Sequence, residues 1–229
     1  MTKVLVPVLA IDGPSGSGKS SITQIISQKL GLTHIDTGAM FRALGYHFDS
    51  MGVSVDQVSK NHLKEVALNY IGEEEHLIDL NGVDLTHKIR EHFVSKLASD
   101  YSKNHHIREY LKEYQRSLAQ SKALVMEGRD IGTVIFPHAA LKIFLTASPE
   151  ERAKRRQHEL SLKGEKTSYE QILKDVIARD KQDQERDLAP LKKAEDAIEL
   201  DTTQLSQNEV VNEVISLYNK RKHLFEETL

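Results

Sequence analysis

Gly13-Pro14-Ser15-Gly16-Ser17-Gly18-Lys19-Ser20 is the stretch on which the rest of the chain turns. It has the spacing G-x-x-x-x-G-K-[ST], follows the apolar run Val8-Leu9-Ala10-Ile11, and precedes Ile22, Ile25, Ile26 and Leu30 at helical spacing. The glycines allow a loop whose backbone N–H groups point inward, and the helix start adds partial positive charge. Lys19 can then bridge the β- and γ-phosphates of a nucleotide, and the Ser20 hydroxyl can ligate Mg²⁺. A chain of this length would hold the bare pattern by accident on the order of 1% of the time, before strand and helix flanks are required. A bound nucleoside triphosphate is therefore expected, and its fate must be read at the other strand ends.

Outward from the loop, β-branched runs alternate with helical patterns, which is how a parallel sheet with crossover helices is written. Strands are expected at Val8–Ile11, Leu32–Asp36, Leu124–Glu127, Leu141–Leu145 and Ala197–Leu200, all of them buried. Gly31 should close the first helix in a left-handed conformation. Ser148-Pro149-Glu150-Glu151 and Ser206 with Glu209 have the spacing of helix starts. Residues 58–103 break the rhythm. There Leu77–Leu80 and Val83–Leu85 flank Asn81-Gly82, a type I′ hairpin signal, and helices are expected from His62 to Tyr70 and from Ile89 to Tyr101. We read a small lobe at 58–103 inserted into a core of 1–57 and 104–229. From Glu150 to Asp187 charges are dense, and Arg152, Arg155 and Arg156 recur at helical spacing. A solvated helical hairpin and a mobile cover over an anion both fit.

Composition sets outer bounds. The 229 residues carry 31 Lys+Arg against 34 Asp+Glu, with no Cys, no Trp and 39% hydrophobic residues. Absent cysteines exclude disulfides, thiolate metal sites and a thiol nucleophile, so metal chemistry must use oxygen or imidazole ligands. A formal net charge of -3 argues against coating nucleic acid or membrane. The longest apolar run, Val4 to Ile11, is too short to span a bilayer and lacks an export cleavage site. A soluble, cytoplasmic protein is expected.

Two more segments lie at predicted strand ends, where ligands of parallel sheets sit. They are Asp36-Thr37-Gly38-Ala39-Met40-Phe41-Arg42 and Glu127-Gly128-Arg129-Asp130-Ile131-Gly132-Thr133, and each places an arginine beside a turn. Arg179, Asp183 and Arg186 fall on one face of one predicted helix. Arginines gathered opposite a phosphate loop suit a second phosphorylated substrate. Glu127 suits either a carboxylate that orients Mg²⁺ or its water, or a strand-end carboxylate with no metal role.

With these motifs in their order and spacing, together with N-G-V-D-L-T at 81–86, K-I-F-L-T-A at 142–147 and A-P-L at 189–191, almost the whole chain resembles the bacterial cytidylate kinases, members of the nucleoside monophosphate kinases. The resemblance implies a P-loop α/β fold with five parallel strands, a monophosphate-binding insert at 58–103 and a short lid at 150–168. It also implies transfer of the ATP γ-phosphoryl group to CMP or dCMP with Mg²⁺, in pyrimidine metabolism. The partners would be those small molecules, with no nucleic acid or membrane, and the protein would be a monomer. Carried over by position, Gly13 to Ser20, Ser21, Arg152 and Arg156 would bind ATP. Thr37, Arg42, Arg129 and Arg186 would cradle the CMP phosphate; Ser99, Arg108 and Asp130 would read cytosine; Arg179 and Asp183 would touch the sugar. Lys19, Arg42, Arg129 and Arg186 form the expected catalytic set. Phe41, His138 and Asn104-His105 depart from the family pattern, the last pair bearing on Arg108. Two rivals share the loop: a kinase for another small acceptor, and a nucleotide-dependent switch, though no guanine-reading N-K-x-D is present.

Overall fold

The computed structural model describes residues 5–73, 75–120, 122–162 and 164–226. Val4 of the long apolar run and Lys163 of the charged stretch lie outside them. In chain order the elements are β1 (Val6–Asp12), α1 (Lys19–Leu30), β2 (Thr33–Asp36), α2 (Thr37–Ser50), α3 (Lys60–Lys64), β3 (Leu68–Tyr70), β4 (Ile78–Leu80), β5 (Val83–Asp84), α4 (Val94–Tyr101), α5 (His105–Ser117), β6 (Leu124–Gly128), β7 (Ala139–Thr146), α6 (Pro149–Leu162), α7 (Tyr169–Glu185), β8 (Ile198–Asp201), α8 (Gln207–Lys220) and α9 (His223–Glu226). They form two compact units, Ile35–Gln120 and the remainder, Met1–His34 with Ser121–Leu229.

The larger unit is built on a five-stranded parallel sheet of order β2-β6-β1-β7-β8. Its three inner strands are buried almost throughout, which their apolar runs require. The edge strands are not, contrary to expectation: β8 alternates half-buried Ile198 and Leu200 with exposed Glu199 and Asp201, because an edge strand needs covering on fewer sides. Pro7 stands in β1 without an N–H to donate, and the β1–β7 register shifts between Val6 and Leu9 to accommodate it. Ile22 and Ile26 of α1 and Val210, Val211 and Val214 of α8 close one core against Leu9, Ile11 and Leu145. Gly31 ends α1 at φ 67, with its N–H on the Ser27 carbonyl. Pro149 opens α6 and the Ser206–Glu209 capping box opens α8, as their spacing predicts. Helices α6 and α7 share a small core of Ala153, Leu160, Ile172 and Val176, so the charged stretch is a packed helical hairpin.

The smaller unit packs α2 on α4 and carries a three-stranded antiparallel sheet of order β3-β4-β5. Asn81 and Gly82 both have positive φ, 52 and 77, as a type I′ turn demands. Asn81 Oδ1 also accepts the Ala67 N–H at 2.7 Å, tying the turn to β3. The helix expected from His62 to Tyr70 stops at Lys64 and becomes β3. The helix expected from Ile89 is a 3₁₀ turn over Lys88–Arg90, then an extended Glu91, then α4. Ile89 and Val94 are both fully buried, yet on one continuous helix they would point about 140° apart; the break resets the phase so both face inward. No helix among the described residues is long and apolar enough to cross a membrane.

Candidate active site

The phosphate loop leaves β1 at Gly13, where a Cβ would sit 2.0 Å from the Leu145 carbonyl oxygen of β7, so only glycine lets the loop start this close to the sheet. Lys19 opens α1 and folds back over the loop, donating to the Gly13 and Pro14 carbonyls at 2.9 and 2.6 Å and to Ser17 Oγ at 3.3 Å. It is 6% exposed. Burial, and next the Arg129 charge, push its ammonium well below the usual lysine range, against the upward pull of Glu127, Asp12 and Asp183. Ser15 and Gly18 are half-buried, and Gly16, Ser20 and Ser21 are exposed along the loop and its helix.

Ser20 Oγ donates to Glu127 Oε2 at 2.8 Å, while Glu127 Oε1 is held by Thr23 Oγ1 at 3.1 Å and His34 Nε2 at 2.9 Å. A hydroxyl and a buried carboxylate oxygen meeting at the mouth of the loop are the hard oxygen donors that Mg²⁺ takes, so these residues fit that ion. One Glu127 oxygen is anchored and the other faces Ser20.

A guanidinium cluster lies in the same unit. Arg129 Nε donates to Asp183 Oδ2 at 3.0 Å, and Arg186 lies 3.9 Å from Asp183 and 3.8 Å from Asp130. Burial pushes the Asp183 carboxyl up, but Arg129, Arg179 and Arg186 together outweigh it and hold it below the usual carboxylate range. Arg186 is not within α7, as the helical spacing suggested; it caps the helix with extended backbone at ψ 141. Its guanidinium wraps the carbonyl of Ala189, from Nε at 2.8 Å. Ala189 has φ 48, a conformation alanine adopts at a cost of about 1 kcal/mol. That strain is held by the Arg186 bond and by Leu191 N–H on the Asp183 carbonyl at 2.7 Å.

Arg152, expected at the nucleotide, is held by several groups of the chain itself. It is 2% exposed, pairs with Asp180 through both terminal nitrogens, and donates to the Ala147 carbonyl at 2.9 Å and the Ser15 carbonyl at 3.1 Å. It braces the loop with four of its five N–H donors engaged. Arg155 pairs with Glu151 and with Thr202, and Arg156 makes an exposed pair with Glu159 at 3.1 Å.

Within the smaller unit, Asp36 N-caps α2, accepting the Ala39 N–H at 3.2 Å, and its second oxygen takes Arg42 Nη2 at 2.7 Å. Thr37 is the buried first residue of α2. Arg108 of α5 is buried, donates to the Ser102 carbonyl at 2.8 Å, and lies 5.4 Å over the Phe41 ring. Ser102 Oγ in turn donates to the Ser99 carbonyl at 2.8 Å, so Phe41, Arg108 and the Ser99 turn form one layer.

The cytidylate kinase family model matches residues 9–220 of this chain. The chain belongs to the cytidylate kinase family. It is 45% identical to a cytidylate kinase of Fervidobacterium nodosum, covering 93% of this chain and 96% of that protein. A cytidylate kinase of Caldicellulosiruptor saccharolyticus is 47% identical, with 93% and 95% covered. A solved gluconokinase from Sinorhizobium meliloti shares the fold at a TM-score of 0.51 and 15% identity, covering 99% of this chain and 100% of that one.

The departures from the cytidylate kinase pattern have physical readings. Phe41 carries the Arg108 guanidinium on its ring face, a contact that uses no hydroxyl. Asn104 N-caps α5 through the Ile107 N–H at 3.0 Å and ties to the Val55 and Val58 carbonyls at 2.8 and 3.0 Å, which fixes the start of the helix bearing Arg108. His138 is exposed and contributes its carbonyl to Val6 N–H. Sequence reading missed the partners: Asp36 for Arg42, Asp180 for Arg152, Thr23 and His34 for Glu127, and Asp12. Only Asp12 carried a signal, an acid closing an apolar run.

Proposed function

We propose that this chain transfers the γ-phosphoryl group of ATP to CMP and dCMP, releasing ADP and CDP or dCDP. The observation that carries the reading is Lys19, a buried ammonium held by neutral oxygens inside its own loop. A cation bonded only to dipoles can trade them for phosphate oxygens, and burial strengthens what it meets there.

The acceptor is a phosphate oxygen, already largely ionised near neutral pH because its second pKa is about 6. No general base is needed, and the work left to the chain is positioning and charge neutralisation. The loop amides and Lys19 hold the donor, and Lys19 follows the charge that moves onto the leaving ADP. Ser20 and Glu127 are the residues that would hold Mg²⁺, which would supply further charge neutralisation.

For CMP we assign Thr37, Arg42, Ser99 and Arg108 in the smaller unit and Arg129, Asp130, Arg179, Asp183 and Arg186 in the larger. The arginines would take the phosphate, Asp183 with Arg179 the sugar, and Asp130, Ser99 and Arg108 the base. Cytosine offers an N4 donor to a carboxylate where uracil would place a carbonyl, so Asp130 disfavours UMP. What supports this assignment is the family motif at each position and the gathering of Arg129, Arg179 and Arg186 around Asp183.

ADP formation measured with CMP, dCMP, UMP, AMP and GMP in turn tests the reading. Dependence on CMP or dCMP is expected; preference for another acceptor, or hydrolysis independent of acceptor, would replace it.

A further inference from the structure

Asp12 is the last residue of β1, directly before the phosphate loop, and it is 5% exposed. Its two oxygens divide their work: Oδ1 accepts the Ile131 N–H at 2.8 Å and Oδ2 the Gly132 N–H at 2.7 Å. Those amides open the single π turn over Ile131–Ile135, where a helix start leaves donors without partners. The local residue placed to satisfy them is Asp130 at the N-cap, yet its side chain makes no capping bond and instead faces Arg186 at 3.8 Å. Asp12 thus caps the turn from a different strand, and Asp130 is kept for the site. Gly132 allows the close seat: a Cβ there would come within 3.3 Å of Asp12 Oδ2 and 3.1 Å of Lys142 Cδ.

We propose that Asp12 is a positioning residue for phosphoryl transfer, locking the Arg129–Asp130 turn to the strand that launches the phosphate loop. The proposal rests on the CMP kinase reading above. A buried carboxylate is a costly way to end an apolar strand, and burial pushes Asp12 up to about 6 despite both amide bonds, with Asp130 pushing further and Lys19 opposing. Lys142, packed on Gly132 and paired with Asp196 at 2.7 Å, also borders the contact. An apolar residue would serve β1 better; a carboxylate serves the turn.

Asp12→Asn keeps the shape but offers one acceptor where two are needed. The expected result is a CMP KM about tenfold higher, the effect of one charge-assisted hydrogen bond, with affinity for a non-hydrolysable ATP analogue changed less than twofold. Amide exchange followed by NMR should show Ile131 or Gly132 losing protection while the β1 amides keep theirs. Gly132→Ala, which crowds the same carboxylate, should give the same pattern with Asp12 in place. In the wild type the two amides should lose protection as pH falls below about 6, a readout that needs no variant to fold. Unchanged CMP KM with both amides still protected would overturn the proposal, and so would equal losses for CMP and ATP analogue. If the wild type failed to phosphorylate CMP, the functional reading would fall while the exchange result still stood or fell alone.

Discussion

Lys19 and Arg152 are both buried cations that touch the phosphate loop, and they are held in opposite ways. Lys19 is hydrogen-bonded to two carbonyls and a hydroxyl, all neutral. Arg152 has a carboxylate, Asp180, on both terminal nitrogens, and donates two further N–H groups to the Ala147 and Ser15 carbonyls. A charge facing dipoles is still available to an anion; a charge facing a carboxylate must first give up that partner. Counting basic residues near a loop therefore overstates what a ligand can use.

The largest expected effect separates the two roles directly. Lys19→Ala should cut turnover on the order of 10³-fold, the scale for losing one preorganised charge in a phosphoryl transfer site, while chemical denaturation shows stability little changed. Normal turnover would mean Lys19 is only a clasp for its loop. Arg152→Ala should do the reverse. Removing one member of a buried pair costs about 3 kcal/mol because the other is left behind, so the urea midpoint should fall sharply. An unchanged midpoint would erase the contrast between the two cations.

Asp12 tests the same contrast from the anionic side and at similar size. Its folded pKa is raised from 3.8 to about 6, so the folded chain binds more protons than the unfolded chain between those values. Stability contributed by this group must fall as pH rises through that window, by about 3 kcal/mol in all. Asp183 works with the opposite sign: its folded pKa is depressed, and its contribution is lost as pH drops through that lowered value. Urea titrations of wild type and Asp12→Asn at pH 4 to 7 isolate the first slope. Parallel curves would show that Asp12 is not buried as a charge.

How much of this was legible in the sequence follows from how local each cause is. The phosphate loop was readable because its glycine and lysine spacing is itself the structure, and Asn81-Gly82 because a type I′ turn demands positive φ at adjacent residues. The segment from His62 to Tyr70 misled because Leu63, Val66, Ala67 and Tyr70 have helical spacing, while β3 is only three residues long and too short to display alternation. At the site, the individual arginines could be found from motifs, but which of them are committed could not. Asp180 meets Arg152 across 28 positions, and Asp12 meets Gly132 across 120. The first pairing is set by how α6 packs on α7 and the second by how the sheet is ordered, and no short window contains either.

Asp130 sharpens the assignment of roles within the arginine cluster. Asp130→Asn should lower the preference for CMP over UMP about tenfold, the range for one polar group reading a base, because an amide can present a donor to the uracil carbonyl. Its proximity to Arg186 predicts a smaller accompanying rise in CMP KM. An unchanged CMP to UMP ratio would move base reading away from this residue.

The smallest effect is expected at Arg156, and it closes the comparison with Arg152 inside one helix. Both belong to α6, four residues apart, but Arg156 and its partner Glu159 are 32% and 60% exposed. An exposed pair of this kind contributes less than about 1 kcal/mol, so Arg156→Ala should leave the urea midpoint almost where it was. Its charge, unlike that of Arg152, is screened by water and can be exchanged for a phosphate at little cost. A several-fold rise in the KM for ATP at unchanged stability would identify Arg156 as the cation this hairpin contributes to nucleotide. An unchanged KM would leave α6 as a brace for the loop, with Arg152 as its working contact.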